Sequence, residues 1–538
     1  MERSPAGAVT PTTISPTMSN RLYVVRTSLI VAIGGFLMGF DASVISGVIR
    51  FIENEFSLEK LQIGWAVGSS TLAAAFAMMG SGPLSDRIGR KKVLYLAATL
   101  YTASAVASAL APSFVFLVVA RMIGGLGVGA SLIIAPMYIA EFSPPDIRGR
   151  MVSFNQLNIV LGISTAFFTN YLIVNLGTSD TAWAQSLLIG PENWRWMLGL
   201  ETLPAAVYFC CLFAVPESPR WLVMHGRHDG ALDVLSRITD RVNAESAVEN
   251  IRSSLAASDL TGKAGLKDLF SPTLRRVLII GIVIAIVQQI TGINAVLYYA
   301  PIIFEQSGIG TNASFAQAVL VGIVNLLFTI VAILFIDRLG RKRLLVIGLT
   351  GIAASMLLLS FGFRSATYTL TPESIAAVPA VADLAMLDEL HGVTFENDVA
   401  FKSAIQSSVG DELARRHESD LIKASITINP ILILIGMLGF VASFAVSIGP
   451  VMWVLFSELF PNWIRGLAVS FVGLLNSATS FCVQLLFPWE LANLGTATTF
   501  LLYALFAAIG LVFVLLKVPE TKGMSLEELE GLLVGSAR

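Results

Sequence analysis

The chain alternates between long apolar stretches and short polar segments. About a dozen apolar stretches run for roughly 20 residues, the length that an α-helix needs to cross the ~30 Å hydrocarbon core of a bilayer. They are continuous and lack the alternation of a membrane β-strand, which indicates helices rather than a barrel. The predicted spans lie near residues 24–51, 62–81, 93–111, 113–140, 151–176, 195–215, 276–304, 314–336, 344–362, 428–457, 467–488 and 497–517. The pattern therefore predicts an all-α membrane protein with twelve transmembrane helices.

Composition places the chain in a lipid bilayer and argues against other classes of protein. Of the 538 residues, 55% are hydrophobic and only 13% are charged, whereas soluble proteins are about 25% charged. The net charge of −2 offers no basic surplus for nucleic acid. The cysteines show no metal-ligand spacing, the histidines all fall in polar segments, and no nucleophile–base set suggests catalysis. We expect no metal, no cofactor and no enzymatic activity.

A run of glycines in the fourth span has two interpretations. Gly124, Gly125, Gly127 and Gly129 superficially resemble a dinucleotide-binding loop. Because they lie inside an apolar helix, we expect them to allow close packing of neighbouring helices.

The basic residues are concentrated in loops that the topology places on one side. Loop 82–92 and loop 337–343 carry four Lys or Arg residues each, whereas loops 52–61 and 305–313 share one, Lys60. The positive-inside rule places the basic loops and both termini in the cytoplasm. We expect a multi-pass protein of the plasma membrane, that is, the cell or inner membrane.

Two motifs occur once in each half of the chain. Asp86-Arg87-Ile88-Gly89-Arg90-Lys91 recurs as Asp337-Arg338-Leu339-Gly340-Arg341-Lys342, and the pair Glu141 and Arg148 recurs as Glu458 and Arg465. The two motifs lie farther apart in the second half, because the polar, acidic segment 363–426 is inserted between them. Two repeated bundles of six helices are the plan of a transporter whose halves rock against each other.

This repetition predicts the organisation of the whole chain. We expect a disordered cytoplasmic tail (1–22), an N-terminal six-helix bundle (23–215), a cytoplasmic helical linker (216–275), a C-terminal six-helix bundle (276–517) that includes the extracellular insert (363–426), and a cytoplasmic tail (518–538). In the linker, Ala231, Val234 and Ile238 follow helical spacing. In the insert, residues 382–390 and 401–422 form either short helices that cap the outer mouth or a solvated loop.

Two charges lie deep in predicted membrane helices, where charges are costly and usually functional. Asp41 is ~15 Å and Arg121 ~12 Å from the outer ends of their helices, so the two can meet. They form either a permanent structural ion pair or a proton switch, in which Asp41 is protonated when it is released from Arg121. Glu201 is shallower, and we interpret it as an interfacial carboxylate.

Amide side chains are concentrated in the seventh span. Gln288, Gln289 and Asn294 offer paired donors and acceptors without charge, which suits a polyhydroxylated solute. In an unbroken helix Gln288 and Asn294 would point ~120° apart, whereas a break near Gly292 would direct both to one cavity. Gln156, Asn325 and Asn476 are further amides in apolar helices. Trp453 either presents its flat face to a sugar ring or is a buried side chain of the core.

The charged residues at the cytoplasmic helix ends suggest a gate. We expect salt bridges between the bundles there, which hold the inner gate shut and break for inward opening. The candidates are Asp86, Arg87, Arg90, Glu141, Arg148, Glu217, Arg220, Asp337, Arg338, Arg341, Glu458 and Arg465.

Taken together, these motifs resemble the sugar porter family of the major facilitator superfamily from about residue 24 to 530, outside the insert. The strings that carry the resemblance are Gly39-Phe40-Asp41, Gly82-Pro83-Leu84-Ser85-Asp86-Arg87-Ile88-Gly89-Arg90, Pro136-Met137-Tyr138-Ile139-Ala140-Glu141, Pro216-Glu217-Ser218-Pro219-Arg220-Trp221-Leu222, Gln288-Gln289-Ile290-Thr291-Gly292-Ile293-Asn294 and Pro519-Glu520-Thr521-Lys522-Gly523. The Pro216 and Gln288 strings are specific to the sugar branch.

The resemblance implies a major facilitator fold and a set of functional residues. It implies a sugar site made of Gln156, Gln288, Gln289, Asn294, Tyr298, Asn325, Trp453 and Asn476, with Phe444 lining it. It implies that Asp41 and Arg121 are the proton-coupling pair. Met38 and Ile163 depart from the xylose-type pattern, and the long insert is similar to that of proton-coupled inositol transporters, which adds cyclitols to hexoses and pentoses.

The expected function is proton-coupled symport of a monosaccharide or cyclitol by alternating access, with the proton as coupling ion and no obligate protein partner. Two alternatives remain open. One is a passive sugar uniporter with a structural Asp41–Arg121 pair. The other is a non-transporting sugar sensor, which the short segment after residue 518 does not favour.

Overall fold

The computed structural model describes residues 18–144, 147–260, 265–372, 387, 390–461 and 463–522, and it is mostly helical. The N-terminal bundle contains α1 (Met18–Phe56), α2 (Lys60–Ile88), α3 (Arg90–Ala109), α4 (Phe114–Phe142), α5 (Arg148–Gly177), α6 (Ala182–Ser186), α7 (Asn193–Gly199) and α8 (Thr202–Cys211), followed by a 3₁₀ turn (Leu212–Ala214). The linker contains α9 (Pro219–Met224), α10 (His228–Ser236), α11 (Arg241–Leu260) and α12 (Leu266–Leu269).

The C-terminal bundle has the same plan with a small domain inserted. It contains α13 (Arg275–Ile290), α14 (Ile293–Tyr298), α15 (Ala300–Glu305), α16 (Thr311–Leu339), α17 (Arg341–Arg364), α20 (Pro430–Val446), α21 (Ile448–Leu459), α22 (Arg465–Asn493) and α23 (Thr496–Lys517). Between α17 and α20 lie β1 (Thr367–Thr369), β2 (Thr394–Phe395), α18 (Asp398–Val409), α19 (Asp411–Ser425) and β3 (Ile426–Thr427).

The twelve predicted spans are confirmed. Within the described residues, eleven helical segments are long and apolar enough to cross a membrane. The twelfth is α3, a 20-residue helix that packs on α4 and whose hydroxyl side chains make it more polar than the others. The first span begins at Met18, so residues 18–22 of the predicted tail are helical; residues 1–17 lie outside the described part of the chain.

The glycine run in α4 serves helix packing, as expected. A side chain at Gly125 would collide with the backbone carbonyl of Ser70, and one at Gly129 with that of Ala74, both on α2. Because these glycines have no side chain, the backbones of α2 and α4 can approach closely, as is common where membrane helices pack.

The two faces of the membrane domain differ in how the bundles meet. We call the face with Glu217 and Glu520 the terminal face, and the face with the inserted domain the insert face. Toward the insert face the bundles are joined: Gly64 of α2 packs against the backbone of Leu485 in α22, and Thr71 donates a hydrogen bond to Gln484 (3.0 Å). The bundles are therefore closed against each other toward the insert face. The ion pairs described on the terminal face, by contrast, stay within one bundle.

The linker is helical and amphipathic, as the spacing predicted. Ala231, Val234 and Ile238 are buried and pack with Trp221 and Phe142 in the core of the N-terminal bundle. The linker therefore adheres to that bundle through one apolar face.

The described part of the insert folds into a small domain, so the solvated-loop alternative is wrong for residues 401–422. β1 pairs with β2 on one side and β3 on the other, both antiparallel. Phe401 is fully buried and stacks on Tyr368 with ring centroids 5.2 Å apart. The predicted helix over 401–422 is two helices that meet at Gly410. Most of 382–390 lies outside the described residues. We call the described residues from 365 to 427 the insert domain.

Candidate functional site

A buried ion pair lies inside the N-terminal bundle. The structure brings Asp41 of α1 and Arg121 of α4 together, with Arg121 Nη1 3.6 Å from Asp41 Oδ1 and both side chains almost fully buried. Ser70 Oγ donates to Asp41 Oδ2 (3.0 Å). Arg121 is also held by the backbone carbonyls of Ala66 (3.1 Å) and Asp41 (3.4 Å). A charge-assisted bond is typically about 2.7–2.9 Å long, so the carboxylate and guanidinium are neighbours without a tight bond.

Glu201 is a second buried carboxylate near this pair, which contradicts our interpretation of it as interfacial. Its side chain is only 2% exposed, and its Oε1 has no hydrogen-bond partner among the described residues. Glu201 interacts electrostatically with Asp41 and Arg121. It lies in the turn between α7 and α8, where packing on α3 covers it. The site therefore contains one guanidinium and two carboxylates.

The seventh span breaks where the sequence predicted. α13 ends at Ile290 and α14 begins at Ile293, and Gly292 between them adopts a left-handed conformation with φ of +91°. Asn294 Nδ2 then donates to Gln289 Oε1 (2.9 Å). The break thus places amides from both sides of the interruption in contact.

These amides belong to a continuous network that reaches the other bundle. Asn476 of α22 donates to Gln288 Oε1 (2.6 Å) and accepts from Gln289 Nε2 (3.0 Å). Asn294 and Gln484 both donate to Ser480 Oγ, at 2.6 and 2.7 Å. Gln484 in turn accepts from Thr71, which follows Ser70 in α2. Two residues adjacent in α2 therefore contact the two sites: Ser70 contacts Asp41, and Thr71 contacts the amide network. Sequence reasoning missed this link, because Ser and Thr are common in membrane helices.

The other predicted sugar-site residues lie outside this network. Gln156 on α5 is half-buried, and Asn325 on α16 is buried. The two helices contact each other, and Ser164 of α5 donates a hydrogen bond to the Gly322 carbonyl of α16 (2.8 Å). Phe444 is buried and Tyr298 packs in the same apolar cluster.

Trp453 is 38% exposed, so the buried-core alternative is wrong. The Trp453 ring lies beside Gly473: a Cβ atom at Gly473 would be 3.9 Å from the ring. The same Cβ atom would be 4.0 Å from Met78 of the other bundle.

On the terminal face, each bundle holds an equivalent network of charges, here called a corner network. In the N-terminal bundle Arg90 binds Glu141 (3.2 Å), Ser218 donates to Glu141, and the backbone N–H of Lys91 donates to Glu217 (3.1 Å). In the C-terminal bundle Arg341 binds Glu458 (2.8 Å), Thr521 donates to Glu458 (2.6 Å), and the backbone N–H of Arg341 donates to Glu520 (2.9 Å). The repeat therefore extends to the side-chain contacts, whereas the backbone donor to the second Glu is shifted by one position, from Lys91 in the first half to Arg341 in the second.

The corner networks differ from the salt bridges expected between the bundles. The contacts described for them lie within one bundle, because the structure is closed toward the opposite face. Arg148 and Arg465 do not bind the Glu residues of their own motifs; each donates instead to a backbone carbonyl five residues earlier, that of Ser143 and that of Phe460. Arg90 also binds Asp86 (2.9 Å). Arg87, Arg220 and Arg338 are exposed, and the side chain of Asp337 lies outside the description.

Comparison with known proteins decides the family. A family model described as "Sugar (and other) transporter" matches residues 27–386 and 418–533. The chain belongs to the sugar transporter family. The unmatched stretch 387–417 of this sugar transporter lies in its insert. The chain is therefore a multi-pass membrane transporter and not an enzyme.

Its relatives include named symporters of pentoses. The arabinose-proton symporter of Bacillus subtilis (strain 168) is 34% identical over 530 residues, which cover 98% of this chain and 99% of that protein. The D-xylose-proton symporter of Escherichia coli (strain K12) is 32% identical, with 96% and 97% covered.

Solved structures of the xylose transporter XylE share the fold. The inward open conformation of XylE from E. coli has a TM-score of 0.72 at 30% identity, covering 95% of this chain and all of that one. XylE bound to 6-bromo-6-deoxy-D-glucose has a TM-score of 0.68 at 31% identity, covering 96% and 100%. These similarities confirm the predicted major facilitator fold.

A substitution at Gly292 tests the role of the break in this sugar transporter. A side chain there would begin 2.5 Å from the ring of Tyr503, and a left-handed conformation costs a non-glycine residue roughly 1–2 kcal/mol. We expect Gly292→Ala to lower the thermal unfolding temperature and to weaken sugar binding, since Asn294 and Gln289 would separate. Gly466→Ala is the matched control, because that position has open space around it. Equal melting and binding for both variants would contradict a fixed break.

Proposed function

We propose that this transporter imports a monosaccharide or cyclitol together with a proton, across the plasma membrane, with its terminal face and both chain ends in the cytoplasm. The observation that carries the proposal is a buried carboxylate–guanidinium pair that is separate from, yet linked to, a network of neutral amides. The pair contains a carboxylate, that of Asp41, which can bind a proton. The network contains amide groups, which can bind the hydroxyls of a sugar. The basic loops of the terminal face support the orientation, and the symporters among the relatives support the coupling.

In the proposed cycle, Asp41 alternates between two protonation states. A proton from outside neutralises Asp41, which ends its attraction to Arg121. Arg121 stays in place because the carbonyls of Ala66 and Asp41 hold it. Sugar binds, the bundles rock, and release of the sugar inside is followed by loss of the proton and renewed pairing. Glu201 interacts electrostatically with both residues and would influence the protonation of Asp41.

The sugar would be held chiefly by the C-terminal bundle. Gln288, Gln289, Asn294 and Asn476 bond to one another here, and sugar hydroxyls would replace some of these bonds. An aromatic face supports the C–H side of a sugar ring, and Trp453 offers one that is partly exposed. Gln156 and Asn325 would complete the pocket from α5 and α16. The corner networks would brace each bundle so that it moves as one body.

Passive uniport is the second candidate, and one observation favours it. Arg121 and Asp41 are both almost fully buried, and a buried ion pair is also found in purely structural roles. In that case Asp41 would remain charged throughout the cycle.

Uptake into proteoliposomes distinguishes these functions and identifies the sugar. The purified full-length chain is tested with labelled arabinose, xylose, glucose and inositol, with and without an inward proton gradient. Symport predicts accumulation of at least one of them above equilibrium only when the gradient is present. Equal uptake under both conditions would support uniport. Specific binding without uptake would support the sugar sensor.

A further inference from the structure

The insert domain contacts both bundles at the insert face. It is covalently part of the C-terminal bundle, between α17 and α20. Its charged side chains also reach α1 and α2 of the other bundle. The insert domain is therefore placed to respond to their relative position.

On one side, the insert domain is fixed to the C-terminal bundle by a helix cap. Asp398 Oδ2 accepts hydrogen bonds from the backbone N–H (3.0 Å) and the hydroxyl (2.9 Å) of Thr496, the first residue of α23. A carboxylate at a helix N-terminus satisfies free N–H groups and the helix dipole. Asp398 is buried, and this contact docks the insert domain on the C-terminal bundle.

On the other side, the insert domain binds the N-terminal bundle through ion pairs. Lys60 of α2 lies 3.2 Å from Glu418 of α19 and 2.9 Å from Glu53 of α1. Glu418 also binds Lys402 (3.2 Å), which lies 3.8 Å from Asp398. An unbroken series of charges thus runs from one bundle through the insert domain to the other.

A second ion-pair contact between the bundles, made by Arg50, accompanies the Lys60–Glu418 pair. Arg50 of α1 binds Glu305 at the end of α15 (2.6 Å) and lies 3.6 Å from Asp420 of the insert domain. It also donates to Thr311 at the start of α16. One arginine of the N-terminal bundle therefore joins the C-terminal bundle both directly and through the insert domain.

We propose that the insert domain is a latch of the outer gate: docked on the C-terminal bundle through Asp398, it binds the N-terminal bundle through Glu418–Lys60 and Asp420–Arg50 only while the insert face is closed. Opening of that face moves α1 and α2 away from α23 and must break both pairs. The latch therefore favours the state that is open toward the terminal face. This inference rests on the proposed alternating access.

The Glu418–Lys60 pair of the latch stays charged under the conditions that drive transport. Burial alone would raise the pKa of the Glu418 carboxyl, but the ammonium groups of Lys60 and Lys402 outweigh it and lower this pKa to about 2. Since this pKa lies below the ordinary value of 4.5, the pairing stabilises the closed face above about pH 4.5 and is lost only as the pH falls through about 2. An acidic exterior thus leaves the Glu418–Lys60 pair intact.

Reversible cross-linking tests the latch directly. Cys210, Cys211 and Cys482 are replaced by Ser, and Lys60→Cys is combined with Glu418→Cys. A reducible bifunctional thiol reagent should then abolish sugar transport, and reduction should restore it. The matched control combines Lys402→Cys with Glu418→Cys, which links two residues of the insert domain, and should transport equally before and after cross-linking. Unchanged transport by the linked Lys60–Glu418 variant would overturn the proposal.

Hydrogen–deuterium exchange provides a test that does not depend on transport. Glu418→Gln combined with Asp420→Asn, with the native cysteines in place, should accelerate exchange in peptides that cover residues 50–63 by roughly threefold to tenfold, as expected for the loss of two partly exposed ion pairs. Glu396→Gln, an exposed carboxylate of the same domain, should leave exchange unchanged. Wild-type exchange in the double variant would contradict the latch, whereas absent sugar uptake in the wild type would contradict only the proposed function.

Discussion

Asp41→Asn is expected to abolish proton-driven accumulation of sugar while sugar exchange continues. Asparagine has nearly the shape of the protonated acid, so the variant resembles a transporter that is permanently released from Arg121. A proton driven by 100 mV supplies about 2.3 kcal/mol, which supports roughly 50-fold accumulation of a neutral solute. The variant should reach a ratio of about 1. The measurement is uptake and counterflow of the labelled substrate in proteoliposomes at a fixed membrane potential.

The control for this variant is Asp233→Asn. Asp233 is an exposed carboxylate of the linker, and its ion pair among the described residues is with Arg237, one turn away. It should accumulate sugar like the wild type. Accumulation that survives in Asp41→Asn would remove Asp41 from the proton pathway. In that case Glu201→Gln shows whether the second carboxylate carries the proton.

Asn294→Ala is expected to weaken sugar binding by roughly 10- to 100-fold and to leave the coupling to protons intact. The substitution removes a donor to Gln289 and to Ser480, and an unsatisfied buried polar group costs about 1–3 kcal/mol. Asn294 would also contact the sugar itself. Equilibrium binding measures the loss of affinity, and accumulation at saturating sugar shows whether coupling is retained.

The matched control is Asn493→Ala. Asn493 is also an amide on a membrane helix, but in the described part of the chain its side chain donates to the carbonyl of Trp489 in its own helix. Its removal should leave sugar affinity unchanged. If Asn294→Ala binds sugar with wild-type affinity, the amide network only joins helices and the sugar lies elsewhere.

The sequence predicted the deep ion pair and the broken seventh span because rare features are informative in a membrane. A charge in an apolar helix needs a partner at the same depth, and helix rise alone matched Asp41 to Arg121. Gly292 marked the break because left-handed backbone favours glycine. These predictions depend on local geometry along single helices, which the order of residues determines well.

Features that depend on how helices pack were not predicted correctly. Glu201 was considered interfacial because its depth was counted along one helix, whereas α3 covers it in the fold. The salt bridges expected between the bundles at the terminal face belong to the state that is closed there, so they stay a prediction. The contact of Glu141 with Arg90 of another helix in the same bundle was not among the predicted contacts. The insert has no counterpart in the first half, so repetition gave no information about its fold.

The corner networks also determine when each bundle is complete during synthesis. Domains generally fold as units from the N-terminus while the ribosome is still translating. The N-terminal corner is closed by Glu217 and Ser218, so that bundle can be complete before the C-terminal bundle, which begins at α13, has been synthesised. The C-terminal corner waits for Glu520 and Thr521. Until these two residues have been synthesised, Glu458 can bind Arg341 but the C-terminal corner network is incomplete.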